Sequence, residues 1–441
     1  MFGRASLLLT LAVVGYGWGT AVAQVPQSGA GATVSSPSAV VASDGSELPA
    51  GIVNSTATIP GYMGSYSLFY QDLPVGPDGI VTEQLPEDLG GLYGRSPLDD
   101  FVMDVVRSTW VRLEYLHWNY KRPGDTILGA PIQGVKDPRE PFPVTIGTTL
   151  GGFAHVESLS GLNLRDNQGI RATVGVALNG GTIEGSIFSF AEGRTGMKED
   201  LPKPEDKVGR TLLEYIATST LTNGEIGHNL FLYDKSFSAY FTSDFWGAEA
   251  ILVTDPLVPG PGIKLRSIFG FRFYSLEERL VQRGEFDQNG FLIDPLVSTI
   301  DSDAKNRIYA PQIGLRLEYV HPLFTVGVEP KMVFGINVYK TRVLTDKLRG
   351  FEDPTFMTER EGTKFAPIGD FEVNGRLNLS RNFSLFVSYH ILVAAGITRP
   401  QNNIYYDDYG PEAPKPGIIV KPAFDNMVIQ GLSVGGELWL R

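Results

Sequence analysis

From Trp110 onward the chain alternates apolar and polar side chains with a period of two, the pattern of strands with one apolar face. Over 308–320, Tyr309, Ile313, Leu315, Leu317 and Tyr319 share one face, while Gln312, Gly314, Arg316 and Glu318 share the other. Over 324–339, Phe324, Val326, Val328, Met332, Phe334, Ile336 and Val338 oppose Thr325, Gly327, Glu329, Lys331, Gly335 and Asn337, with Val333 as the exception. Residues 370–379 set Phe371, Val373, Leu377 and Leu379 against Asp370, Glu372, Asn374, Arg376 and Asn378. Residues 169–178 set Ile170, Ala172, Val174, Val176 and Leu178 against Arg171, Thr173 and Gly175. Similar alternation runs through 263–275 and 383–393, weaker versions through 110–118, 182–190 and 236–253, and a last strand through 428–440. That makes about ten strands, many reaching the roughly 9–11 residues a tilted bilayer crossing needs, whereas ordinary strands average about six.

The connections alternate in length. Short turns fall at Asn179-Gly180-Gly181, at 255–262, at His321-Pro322-Leu323 and at Ser380-Arg381-Asn382; long ones fall at 119–167, 191–235, 282–303, 343–364 and 395–426. Such alternation predicts an all-β fold, an up-and-down antiparallel transmembrane β-barrel with short periplasmic turns and long extracellular loops. Both chain ends then lie on the short-turn side. The first two long connections have room for a hairpin each, which would raise the strand number to twelve. No repeat of fixed period is visible, which argues against solenoids and propellers.

Period-two alternation leaves open which face is enclosed. The apolar faces of the best strands carry no formal charge, whereas the polar faces mix both signs with glycine. Those charges are Arg171; Lys264, Arg266 and Arg272; Arg316 and Glu318; Glu329 and Lys331; and Asp370, Glu372 and Arg376. An Arg facing lipid at mid-depth costs about 2–4 kcal/mol, so these eleven are expected inside, as a lumen charge network paired across strands. Aromatics near strand ends (Tyr319, Phe324, Tyr339, Tyr389, Trp439) suit an interfacial girdle.

The N-terminus agrees. Arg4, an apolar run over 5–14 and Ala21-Val22-Ala23 have the form of a cleaved secretory signal over 1–23. Residues 24–107 are expected to form a flexible periplasmic segment, in which Ser96-Pro97 offers the start of a short helix running to about 107. The barrel occupies 108–441. Across 441 residues, 37 Lys+Arg stand against 49 Asp+Glu, a net charge of −12, which disfavours nucleic acid as a partner. With no cysteine, disulfides, thiolate metal sites and Cys nucleophiles are excluded.

Little in the chain suggests catalysis or cofactors. The histidines are His117, His155, His228, His321 and His390, none in an HExxH or paired metal-ligand spacing. His390 shares a face with Ser388 near the expected outer rim, a pair that could serve acyl transfer, but polar lumen residues are the simpler reading. Adjacent acids at Glu277-Glu278 and Asp407-Asp408 suit solvated loops, and Asp287, Asp301, Asp303, Asp407 and Asp408 lack EF-hand spacing for calcium. The expectation is therefore no catalytic residue, no metal and no cofactor.

Several segments, in their order along the chain, resemble a family of bacterial outer-membrane β-barrel proteins of undetermined role, over most of 108–441. They are the opening strand from Trp110 to Trp118, Phe245-Trp246-Gly247-Ala248-Glu249, Phe269-Gly270-Phe271-Arg272-Phe273, Asn306-Arg307 leading to Gln312-Ile313-Gly314-Leu315, and Thr398-Arg399-Pro400. The chain continues Gln401-Asn402-Asn403 where the family pattern has a Gly-Asp-containing segment. It ends Trp439-Leu440-Arg441 where such barrels commonly end on an aromatic. The resemblance implies location and architecture, with outer-membrane lipid and the barrel assembly machinery as partners and an unidentified ligand for the loops. A barrel of about ten strands bearing many opposite charges leaves little open lumen. The expected role is therefore anchoring of long surface loops with limited permeation. A small porin-like channel, an outer-membrane hydrolase and a soluble exported β protein are the alternatives.

Overall fold

A computed structural model describes residues 105–122, 124–146, 149–202, 213–257, 262–288, 290, 292–409 and 417–440, all within the compact unit Pro86–Arg441. The signal, nearly all of the linker and the helix start at Ser96-Pro97 lie outside these residues. A helical turn at 105–107 precedes the first strand. There the Ser108 and Thr109 hydroxyls both donate to the Val105 carbonyl, at 2.9 and 2.6 Å.

The described residues form eighteen strands. They are β1 (Thr109–Tyr120), β2 (Phe142–Ile146), β3 (Thr149–Val156), β4 (Asn167–Leu178), β5 (Gly181–Phe190), β6 (Gly193–Asp200), β7 (Leu213–Thr222), β8 (Glu225–Tyr233) and β9 (Ser236–Thr254). The second half contributes β10 (Ile263–Phe286), β11 (Leu296–Val320), β12 (Phe324–Asp346), β13 (Phe356–Asn378), β14 (Phe383–Thr398), β15 (Ile404–Tyr405), β16 (Asp407–Asp408), β17 (Ile419–Val420) and β18 (Phe424–Trp439). Antiparallel pairing runs β1–β4–β5–β9–β10–β11–β12–β13–β14–β18 and returns from β18 to β1. The ladder thus closes on itself through ten strands in its turn-proximal part, where no edge is free, whereas Phe356–Pro367 of β13 pair with β12 alone.

The strands are longer than the alternation alone suggests. β10 has 24 residues, β11 has 25, and β12 and β13 have 23 each. The connections expected over 282–303 and 343–364 shrink to 287–295 and 347–355, barely longer than the turn at 255–262. What reads as loop is mostly strand that has changed its facial chemistry. The wall opposite the turns also includes β6. It pairs with the upper half of β9 (Gly193↔Ser243), where β5 pairs with the lower half (Ser189↔Trp246), a one-residue shift across 191–192 that marks a bulge.

The long connections carry hairpins that stay out of the ring. β2 pairs with β3, β3 runs parallel to β7, β7 pairs with β8, and β16 joins β7, forming a second, five-stranded sheet. The β7–β8 turn is Asn223-Gly224, with φ of 52° and 82°, the left-handed pair that a two-residue hairpin requires.

Along the ring strands, polarity changes sides. In β10 the outward Phe269 and Phe271 are half exposed while the inward Arg272 is 4% exposed. Nearer Phe286 the inward side carries Tyr274, Leu276 and Leu280, all buried, and the outward side carries Glu277 and Arg279. β11 repeats this. Ile313, Leu315 and Leu317 face out opposite the buried Arg316 and Glu318, whereas Lys305 and Arg307 face out opposite the buried Ala304 and Ile308. The switch falls at one level, because Phe273 pairs with Tyr309 and Tyr274 with Ile308 in register. Trp246, Phe273 and Tyr309 line up there with ring centroids 5.0 Å apart from strand to strand. Hence the apolar outer face is a band rather than a whole wall. At about 3.3 Å per residue, strands of 23–25 residues exceed an apolar band about 25 Å tall.

Leu315→Arg, within the band, should destabilise the protein folded into lipid vesicles by about 2–4 kcal/mol. Val281→Arg, outward but beyond the aromatic row, should change stability by less than about 1 kcal/mol. Urea titration followed by tryptophan fluorescence checks this; equal effects would contradict a lipid-facing band.

Candidate functional site

Within the turn-proximal half of the ring, inward residues from at least seven strands form a dense ionic layer. β11 aims Arg316 across the ring at Glu184 of β5. The guanidinium is bidentate, at 2.7 and 2.8 Å, and its Nε lies 2.7 Å from Glu329 of β12. Arg272 of β10 reaches Glu249 of β9 at 2.7 Å and Asp370 of β13 at 2.6 Å. Lys331 of β12 lies 3.4 Å from Glu329 and 3.6 Å from Glu249, whose other role is to accept from Gln312 at 2.7 Å. On the far side Arg112 and Arg171 converge on Glu114 at 2.7 and 3.3 Å. Arg316–Glu184, Arg272–Asp370 and Lys331–Glu249 each have two ring strands between the partners. Such contacts can form only across the inside of the ring.

Of the eleven charges expected in the network, Arg272, Arg316, Glu318, Glu329, Lys331, Asp370 and Glu372 are buried. Arg171 joins them through Glu114. Arg266 and Arg376 have side chains 25% exposed and pair with Glu318 at 3.8 Å and Glu437 at 3.0 Å; they sit toward the turn end. Lys264 is half-buried, in register with Glu318. The sequence reading missed the acids that balance this layer: Glu114, Glu184, Glu249 and Glu437. Each sits at a period-two position in a strand whose alternation is diluted by glycine, serine or inward aromatics. The space left in the layer is about 40 Å³, lined by Arg112, Arg316, Glu184 and their neighbours. A single water needs roughly 10–15 Å³, so the space has room for no more than a few waters.

Above the ionic layer lies an aromatic one. Trp118 and Tyr120 of β1, Phe188 and Phe190 of β5, Phe245 of β9 and Tyr274 of β10 are all buried, with centroid separations of 5.1–6.1 Å. Glycines make room for it. Gly247, in register with Phe188, has the Phe188 ring where a Cβ would sit, at 2.7 Å.

Above the aromatics the β14–β18 connection turns inward. Arg399 is 1% exposed, donates to Glu278 at 2.8 and 3.0 Å and to the Lys121 carbonyl at 3.0 Å, and packs its guanidinium 5.7 Å from the centre of Phe241. The next turn, Pro400–Asn403, is held by Ser302, whose hydroxyl donates to the Pro400 carbonyl at 2.8 Å. Asn306 donates to the Thr398 carbonyl at 2.8 Å. Two segments quoted for the family resemblance, Asn306-Arg307 and Thr398-Arg399-Pro400, thus meet here.

Ser388 and His390 do touch, at 3.0 Å, but both are buried below the aromatic layer, not at a rim. Ser388 Oγ, Arg171 Nη1 (3.0 Å) and Glu372 Oε2 (3.5 Å) all approach the same ring atom, Nε2. A nucleophile–base–acid relay needs the hydroxyl and the acid on opposite ring nitrogens. The geometry is that of a polar network member. The acids weighed for calcium are spread out and engaged elsewhere: Asp301 by Arg279, Asp303 by Arg279 and Arg342, Asp408 by Arg349, and Asp407 by the Gly224 amide. Glu277 faces outward and pairs with Lys305, whereas Glu278 lies inside. In the upper sheet, the hydrogen bond to Glu157 raises the His155 imidazole above its ordinary pKa and pulls Glu157 down to about 2.

No curated protein sequence matches the chain. Among solved structures, the outer membrane protease OmpT from Escherichia coli is similar at 10% identity and TM-score 0.34, covering 75% of this chain and 96% of that one. The CymD monoaromatic hydrocarbon channel is similar at 8% identity and TM-score 0.26, covering 80% and 92%. An anion-selective porin from Comamonas acidovorans stands at 7% and 0.13, covering 75% and 98%. The family described as "Putative beta barrel porin-7 (BBP7)" matches residues 110–439, so the chain belongs to that beta-barrel porin family.

Proposed function

We propose that the ring is a ten-stranded transmembrane β-barrel of the bacterial outer membrane whose main role is to hold a folded surface cap, with little or no permeation through its interior. The observation that carries this reading is the filled interior: an ion-paired layer with about 40 Å³ to spare, an aromatic layer above it, and Arg399 inserted above that. Each layer supplies its own barrier. The paired charges present no unbalanced field to attract a solute, the aromatics offer it no polar partner, and the β14–β18 connection covers the far end. The lower outer face, from Phe269 to Phe273 and from Tyr309 to Tyr319, would contact acyl chains. The charged upper face and the five-stranded sheet would stand in water outside the cell. Signal cleavage and barrel assembly in the outer membrane belong to the same proposal.

The family description favours one second reading, a small channel. Planar-bilayer recording of the purified, folded protein separates the two: the anchor reading expects no stable conductance, and a reproducible open state would overturn it.

The cap should depend on the inserted Arg399. Arg399→Ala leaves Glu278 enclosed without its partner, a change that typically destabilises by about 3–5 kcal/mol. Limited proteolysis should then cut within 399–423 at least tenfold faster than in the wild type, while the ring strands stay protected. Unchanged cleavage would show that Arg399 does not hold this connection in place.

A further inference from the structure

In the upper sheet, His155 of β3 and Glu157 just after it meet Glu199 of β6. The ligand-capable atoms of all three lie within 4.8 Å of one another. His155 Nε2 is 3.5 Å from Glu157 Oε1 and 3.2 Å from Glu199 Oε2. We propose that these three side chains bind one divalent transition-metal ion, zinc being the natural probe.

Three observations carry this. First, spacing: nitrogen and oxygen ligands held at about 2.0–2.1 Å around a tetrahedral zinc lie roughly 3.3 Å from each other, and both contacts to Nε2 bracket that value. Secondly, donor chemistry: one imidazole with two carboxylates suits zinc and its neighbours, whereas calcium and magnesium take oxygen ligands. Thirdly, charge: among the described residues no Lys or Arg pairs with Glu157 or Glu199, and His155 is their one ion-pair partner. The nearby Lys198 is committed to Asp200 at 2.7 Å. Two carboxylates held together by a single imidazole leave a local negative excess that a cation would neutralise. The side chains are 21–43% exposed, so an ion can enter and water can complete the coordination.

The placement gives the ion a job. β3 belongs to the cap sheet and β6 is paired to β9 in the ring wall. A bound ion would tie the cap sheet to the wall through these side chains.

The test uses the full chain, folded in detergent and free of any histidine tag, titrated with cobalt(II) and then zinc. One equivalent of cobalt should give the visible absorption of a four- or five-coordinate site, and zinc should abolish it. His155→Ala and Glu199→Gln should each weaken binding by more than the roughly 10–100-fold that losing an outer-shell partner costs; His228→Ala should not. Absence of one-to-one binding in the folded wild type would overturn the proposal. So would affinity left unchanged by either His155→Ala or Glu199→Gln in variants that retain the β-sheet circular dichroism of the wild type.

Discussion

The structure rests on one constraint: in a closed ring of strands, consecutive side chains face opposite sides of the wall, and an ionised group is tolerated only where it meets water or a counter-charge. Backbone pairing around the turn-proximal part of the ring leaves no free edge there, the condition for strands to cross hydrocarbon. What then decides the sequence is where ionised groups can go. In the turn-proximal half they go inside, where most are paired with counter-charges on the same strand, on a neighbouring strand or across the ring. Arg316 between Glu184 and Glu329, and Arg272 between Glu249 and Asp370, show the arrangement. Removing one partner of such a pair strands the other, which costs far more than the pair itself contributes.

The same constraint explains the reversal further along the strands. Beyond the row of Trp246, Phe273 and Tyr309 the outside carries Glu277, Arg279, Lys305 and Lys340, while the inside carries Tyr274, Leu276, Leu280 and Ile300. One set of strands thus has the polarity of an inside-out protein below this row and that of a water-soluble one above it. The upper core then does what cores in water do: it packs, and it gives the β14–β18 connection and the five-stranded sheet a surface to rest on.

How much of this is legible in the sequence depends on the level. In the band, β11, β12 and β13 alternate so regularly that their faces follow residue by residue, and their turns fall at the short connections. Beyond the band the period persists but its sign changes. Stretches such as 282–303 therefore lose the apolar stripe and read as loop although they continue the same ladder. The weaker strands hide Glu114, Glu184 and Glu249, because β1 and β5 also aim Trp118, Phe188 and Phe190 inward, so neither face is purely polar. Asn223-Gly224 is a hairpin signal that the sequence does carry. The convergence of His155 and Glu157 with Glu199 is invisible in one dimension, since it depends on β3 and β6 meeting. Likewise Ser388 and His390, two residues apart, are legible as neighbours, but their depth and the crowding at Nε2 are not.

The enclosed-charge arrangement is tested most directly by placing single cysteines, one at a time, at positions 301–319 of β11 in this naturally cysteine-free chain. Each is spin-labelled in lipid vesicles, and its accessibility to oxygen and to a water-soluble nickel complex is compared. The account predicts high oxygen and low nickel accessibility at 313, 315, 317 and 319, low accessibility to both at 312, 314 and 316, and nickel accessibility at 303, 305 and 307. High nickel accessibility at 313, 315 and 317, or oxygen maxima at 314 and 316, would contradict it.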